Sequence, residues 1–224
     1  MQDTQKLNKV AVLGAGHVGS VVARLAVKAG YPVDIAASGD PDNIALITEL
    51  VIPGARPRWA AEAVHGAGLV VLAIPLHRLG DLDPGLLDGR LVVDAMNYWP
   101  ASDGTLEQFE HDGSSEIVAR RLAGSTLVKA LNHIGYHDLE DWARPQGAPD
   151  RMAAGVAGDD PRAVAAAADL IDRIGYDPVR LESLRAGRLL QPGTPVFGTV
   201  LAPREFEQAI RTSPVRLAQS RSIS

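Results

Sequence analysis

The amino-acid sequence predicts an α/β fold built on a doubly wound parallel sheet, with a small α/β appendix at its C-terminal end. Three observations carry that prediction. An apolar run, Val10 to Leu13, ends in a glycine-rich turn, and Val18 to Ala29 follows with helical apolar spacing that stops at Gly30. Short apolar runs then alternate with helical segments, the order that parallel strands with crossover helices require. The 224-residue chain is also 46% hydrophobic but only 4% aromatic, so its core is aliphatic, as in sheets buried on both faces.

Each element follows in turn. Val33 to Ala36 reads as the second strand, and Asp40-Pro41 supplies an N-cap and a first helical proline for a helix through about Val51, before Pro53-Gly54 breaks it. A short helix at Ala60 to Val64 precedes buried strands at Leu69 to Ile74 and Leu91 to Ala95, the second after an Asp88-Gly89 turn. Glu116 to Leu122 reads as helix and Thr126 to Leu131 as strand. From Tyr136 to Asp150 the sequence reads as loop, with Pro145, Gly147 and Pro149 marking a junction. Beyond it a second small α/β layer is expected: a strand at Met152 to Ala157, a helix capped by Asp160-Pro161 and running to Ile174, and a turn and strand at Gly175 to Leu181. Gln191 to Pro195 is a Pro/Gly loop, and Val196 to Ile210 reads as helix with a break near Pro203. The expected division is a dinucleotide-binding domain over 1–145, a pocket-closing α/β segment over 146–210 and a flexible tail over 211–224.

Composition narrows the function. With no cysteine, the chain has no disulfide, no thiolate nucleophile and no cysteine-ligated metal, which makes the cytoplasm the expected compartment. The net charge of −5 gives no basic footprint for nucleic acid, and no apolar run approaches the roughly 18 residues of a membrane span. A metal site at His133 and His137, or one using His111 and Asp112, is rejected because Gly135 interrupts the first pair and no third ligand is recognisably spaced. Lys129 reads as a strand-end residue rather than a Schiff-base lysine, and Tyr98, Trp99, Tyr136 and Trp142 as packing residues.

The informative motif is Gly14-Ala15-Gly16-His17-Val18-Gly19, a G-x-G-x-x-G between a strand and a helix, which is the dinucleotide fingerprint of a Rossmann domain. Gly14 permits the tight turn, Gly16 lets backbone N–H groups approach a pyrophosphate, and Gly19 lets the helix pack closely on the strand. The diphosphate then sits at the positive end of the helix dipole. NAD-preferring domains place an acid at the end of the second strand to bind the ribose hydroxyls. Here that stretch is Ala36-Ala37-Ser38-Gly39; Asp34 lies too early and Asp40 is a helix cap. Lack of a terminal acid favours NADP(H), with Ser38, Gly39 and the next helix N-terminus as the expected seat of the 2′-phosphate.

Taken with this fingerprint, Ala73-Ile74-Pro75, Val128-Lys129-Ala130-Leu131-Asn132-His133-Ile134 and Gly187-Arg188-Leu189-Leu190-Gln191-Pro192 give a chain that resembles the NADP-dependent oxidoreductases of the deazaflavin coenzyme F-420. It is also similar to the related cytosolic domain of six-transmembrane metalloreductases. The resemblance implies that Ala73, Ile74 and Pro75 pass the nicotinamide ribose, with Asn97 also on the cofactor. It implies further that Asn132, His133, Ile134 and Gly135 line the pocket where a deazaflavin or flavin ring meets nicotinamide, and that the Leu190 to Pro195 segment, with Thr194 and Pro195, closes it. A homodimer is expected by the same analogy. The chain departs from the family's Ser-Arg after the second strand, having Ala37-Ser38-Gly39 there, and carries Leu76 and Asp94 to Trp99 (DAMNYW) where the family differs.

Hydride transfer between two stacked rings needs orientation and water exclusion more than acid–base help. The absence of a nucleophile, a metal set and paired carboxylates suits it, leaving Asn132 and His133 as the polar candidates at the ring site. Two alternatives stay open: an NADP-dependent reductase of a small carbonyl or imine, and a dinucleotide-binding sensor without turnover. The first would resemble the β-hydroxyacid dehydrogenases, which carry a long helical domain after about residue 165 and a K-x-x-x-N pattern, whereas here Lys129 and Asn132 are three apart and the remaining chain is short.

Overall fold

The structure, a computed structural model, describes residues 8–105, 107, 109 and 112–215. Its strands are β1 (Val10–Leu13), β2 (Val33–Ala36), β3 (Ala55–Pro57), β4 (Leu69–Leu72), β5 (Leu91–Asp94), β6 (Thr126–Ala130), β7 (Ala153–Gly158) and β8 (Asp177–Leu181). They form one sheet in the order β3-β2-β1-β4-β5-β6-β7-β8. Every pairing is parallel except β6 with β7. The order reverses between β1 and β4, and the crevice outside the carboxyl ends at such a switch point is where open α/β sheets bind ligands.

Successive residues of the parallel strands are buried on opposite faces. Val10, Val12, Ile35 and Leu69 join one core with α1 (His17–Lys28) and with the helix over Pro161–Arg173. Ala11, Leu13, Val70 and Leu72 join another with α3 (Ala60–Val64) and with α5 (Ser114–Arg121). Each such valine, leucine or isoleucine contributes about 1.5–3 kcal/mol by leaving water, and burial on both faces explains why the strands read as apolar runs without alternation. The other helices are α2 (Asp42–Val51), α4 (Pro100–Asp103), α6 (Tyr136–Asp141), α7 (Pro161–Arg173) and α8 (Pro203–Arg211). As the sequence indicates, Asp160 caps α7 by accepting from the N–H groups of Arg162 and Ala163, both at 2.8 Å.

Several expectations need correction. The second α/β layer is an extension of the first sheet, because β7 pairs antiparallel with β6 and β8 continues outward from it. A three-residue strand, β3, follows the Pro53-Gly54 break; its central Arg56 and terminal Pro57 hide it from an apolar-run reading. The stretch from Tyr136, read as loop, opens with α6, whose N-cap is Gly135 and whose buried Leu139 faces the core. Helix over Val196 to Ile210 is confined to α8, which starts at Pro203, where a proline fits the first turn. Leu184–Leu190 forms an unanticipated 3-10 helix. Of the expected tail, Arg211 ends α8, while 216–224 lie outside the described residues, as does His111. No described helix is long and apolar enough to cross a membrane.

Candidate functional site

The loop leaving β1 has the form its glycines dictate. Gly14 has φ +117°, and a Cβ there would lie 2.3 Å from the Ala73 carbonyl oxygen; a Cβ on Gly19 would lie 1.9 Å from that of Gly14. These two glycines weld the first turn of α1 to the ends of β1 and β4. Gly16 is different: it is exposed, and a Cβ there would meet nothing within 4 Å. Gly16 is also the N-cap of α1, no side chain caps that helix, and its first turn carries no acid. Unpaired N–H donors therefore face open space at the positive end of the helix dipole, a cradle that fits a diphosphate. Ala15 and Val18 pack on the core, while exposed His17 stacks on Tyr136 of α6 at 4.7 Å between centroids.

The neighbouring strand ends join this mouth. Gly14 N–H donates to the Ala36 carbonyl at 2.8 Å, and Ala73 N–H to that of Leu13 at 2.8 Å, so the exits of β2 and β4 flank the glycine loop. Ser38, Gly39 and Pro75 are exposed there, and Ala73 and Ile74 half-buried. Asp34 is no ribose ligand. It is buried, and its carboxylate is taken by Lys9 and Arg56, each at 2.8 Å.

Beyond β4 the character of the edge changes. Asn97, after β5, and Asn132, after β6, clasp each other: Asn97 Nδ2 donates to the Asn132 carbonyl at 2.8 Å, and Asn132 Nδ2 to Asn97 Oδ1 at 3.0 Å and to the Leu190 carbonyl at 2.6 Å. Leu131, just before, has φ +65°, the only positive φ at a non-glycine position among the described residues. That conformation costs a leucine about 1–2 kcal/mol and turns the chain sharply out of β6. Four of the six expected substrate residues, Asn132, His133, Ile134 and Thr194, are buried. Ile134 belongs to the core, and His133 is 1% exposed. His133 Nε2 accepts the Gly155 N–H of β7 at 3.0 Å, so its ring proton is placed on Nδ1. Burial pushes its pKa down to about 4, partly offset by the Val196 carbonyl, although no partner meets hydrogen-bond geometry at Nδ1. His133 is thus a neutral brace between β6 and β7. Gly135 is exposed at the start of α6; Thr194 is buried, with its hydroxyl donating to the Gln191 carbonyl at 2.9 Å inside its own loop, beside exposed Pro195.

Beneath the asparagines lies a polar network that reading the sequence missed. Lys129 and Asp94 are register partners on β6 and β5, both fully buried, 3.2 Å apart. Asp94 also accepts from the Ser115 hydroxyl at 2.6 Å and the Met96 N–H at 2.9 Å. Lys129 Nζ donates to the Met96 carbonyl and, at 3.4 Å, to the Ser114 hydroxyl, which accepts in turn from Gln191 at 3.0 Å. Burial lowers the Lys129 pKa and Asp94 opposes that shift. A lysine and an aspartate interrupting two apolar strands were the available signal, but their partnership depends on strand register. Among the described residues no group of three or more His, Asp or Glu is placed to hold a metal.

Comparison with known proteins agrees with this geometry. Residues 9–98, spanning the glycine loop and the exits of β2, β4 and β5, match the model of the family described as NADP oxidoreductase, coenzyme F-420-dependent. Over this segment, which is less than half of its length, the chain is similar to that family. Among solved structures, a hypothetical protein from Sinorhizobium meliloti is 27% identical, with 88% of this chain and 97% of that one covered and a TM-score of 0.77. A protein from Arthrobacter sp. FB24, provisionally assigned as an F-420-dependent NADP-reductase, is 26% identical over 81% of this chain and 89% of that one, with a TM-score of 0.67. An imine reductase from Streptomyces aurantiacus shares the fold at 21% identity and TM-score 0.57, with 81% of this chain but 58% of that one covered. No curated protein matches the chain in sequence.

Proposed function

We propose that the protein binds NADP(H) at the mouth of α1 and transfers a hydride between its nicotinamide and a deazaflavin of the coenzyme F-420 type, or a flavin. Gly14, Ala15, Gly16, His17, Val18 and Gly19 supply the diphosphate loop, Ser38 and Gly39 the adenosine end, and Ala73, Ile74, Pro75 and Asn97 the path to the nicotinamide. Asn132, Gly135, Thr194 and Pro195 bound the acceptor side, with His133 and Ile134 bracing it from within. The 146–210 segment acts as the closing element, and the active form is a homodimer.

One observation carries this reading. Asp94, Lys129 and His133, beside the strand exits that face the acceptor, are sealed from solvent together with the Asn132 amide, leaving Asn97 half-buried at that floor. Hydride transfer between facing rings leaves a negative charge delocalised over the acceptor ring, which takes its balancing proton from water, so the step needs alignment more than a positioned acid. Reduction of a small carbonyl needs a proton donor, and Lys129, already bonded to Asp94 and Met96, is a poor one. The match to nearly the full length of the two bacterial relatives, against 58% of the imine reductase, supports the same choice. The test is an acceptor panel with NADPH, followed at the visible absorbance of the deazaflavin. Bleaching of the deazaflavin or a flavin, with simple ketones and imines inert, is the expected result. Turnover confined to carbonyls or imines would overturn the acceptor, and dinucleotide binding without any turnover would make the protein a sensor.

A further inference from the structure

The adenosine end of this site lacks the arginine that the resemblance leads one to look for after β2. The loop there is Ala37-Ser38-Gly39, and the start of α2 is a poor substitute, because Asp40 Oδ1 already accepts the Asp42 N–H at 2.9 Å and Asp42 adds a second negative charge to the first turn. A 2′-phosphate placed on that helix end would face two carboxylates. Positive charge has to arrive from elsewhere, and the expectation that the α2 N-terminus would seat the phosphate is corrected accordingly.

It arrives from the edge strand. β3 runs parallel to β2, with Asp34 opposite Arg56 and Ile35 opposite Pro57, and Arg58 N–H donates to the Ile35 carbonyl at 2.9 Å. That bond carries the β3 ladder one residue further, so Arg58 stands level with Ala36 at the same carboxyl edge, one strand spacing of about 4.8 Å away. Arg56 shares its face of the sheet with Asp34, to which its Nε donates at 2.8 Å; Arg58, two residues on, is on that face too. The two arginines have different duties. Arg56 and Lys9 are committed to Asp34, whereas Arg58 is exposed and has no side-chain hydrogen bond or ion pair among the described residues. On the far side, Arg78 after β4 is paired with Asp81.

We infer that Arg58, at the carboxyl end of β3, is the residue that reads the adenosine 2′-phosphate and gives the chain its preference for NADP(H) over NAD(H), with the Ser38 hydroxyl and Gly39 amide as neutral partners. The inference rests on the dinucleotide site proposed above. A guanidinium matches a phosphate with paired donors, and Asp34, neutralised and buried, offers no competing hold on the hydroxyls of an NAD ribose.

The test is equilibrium titration of the wild-type protein and Arg58→Ala with NADPH and NADH, and with 2′,5′-ADP against 5′-ADP, each variant checked by its melting temperature. Arg58→Ala is expected to weaken NADPH and 2′,5′-ADP about 10- to 100-fold, the range of one charge-assisted contact. NADH and 5′-ADP should change by less than about twofold, and Arg58→Lys should restore part of the loss. The NADPH to NADH gap in the wild type should also shrink as salt is raised. A gap unchanged by Arg58→Ala, or an equal loss for both dinucleotides, overturns the inference while leaving the site standing. A wild type that binds neither dinucleotide overturns the site and the inference together.

Discussion

The two halves of the carboxyl edge are built on opposite principles. At β1, β2 and β4 the backbone is open: Gly16 faces empty space, α1 has no capping side chain, and its first N–H groups have no side-chain partner. At β5 and β6 most polar groups are held from within, Lys129 by Asp94 and Met96, Asn132 Nδ2 by Asn97 and Leu190, His133 Nε2 by Gly155, while Asn132 Oδ1 and His133 Nδ1 are buried with no hydrogen-bond partner. The first half is built to gain partners from a ligand. The second half is a preformed wall, and its interactions set where the ligand stops. In the proposed reading, an open grip beside a buried floor holds the cofactor at one end and leaves the reacting end to geometry.

If the floor is that kind of wall, breaking it should cost stability before it costs affinity. The largest effect is expected for Lys129→Met, which strands Asp94 as an unpaired buried charge and should lower unfolding free energy by about 3–5 kcal/mol. Denaturant unfolding checks this, and the double variant with Asp94→Asn should recover much of the loss. A loss under about 1 kcal/mol would mean that the pair is not sealed as described. Next in size is an acid effect through His133. Its pKa falls from the ordinary 6.5 to about 4 on folding, so the folded state favours the neutral ring. The stability this confers is complete above pH 6.5 and is lost as pH falls from 6.5 towards 4, by about 3 kcal/mol in all, because only the unfolded chain takes up the proton over that window. His133→Gln should flatten the slope of unfolding free energy between pH 7 and 4.5. An equal slope in both proteins would place that proton uptake elsewhere.

The same contrast decides how much could be read from the residues alone. β1, the glycine loop and α1 are legible because local chemistry writes them: an apolar run, three glycines at fixed spacing and a 3.6-residue repeat. Asp160 as a cap on α7 is legible for the same reason. The floor is not local. Lys129 reads as a strand end because its partner lies on another strand and is fixed by register, and His133 reads as a loop residue because its acceptor role depends on β7 folding back antiparallel. β3 escapes because its centre is Arg56, which is paid for by an aspartate on β2. Arg58 escapes with it, since nothing in a one-dimensional reading sets it level with Ala36 at the end of β2. α6 is missed because Gly135 reads as a breaker when it is the residue that starts the helix.

The smallest change in structure gives the most direct test. Gly16→Val adds a side chain where there is room for it, so the fold should tolerate it, yet that room is the position assigned to the diphosphate. Side-by-side calorimetric titration with NADPH should find one site per chain in the wild type and affinity at least about 100-fold weaker, or about 2.7 kcal/mol, in Gly16→Val, with melting temperatures that agree. Equal affinity in the two proteins, at equal stability, would contradict the central claim by showing that the phosphates are held somewhere else.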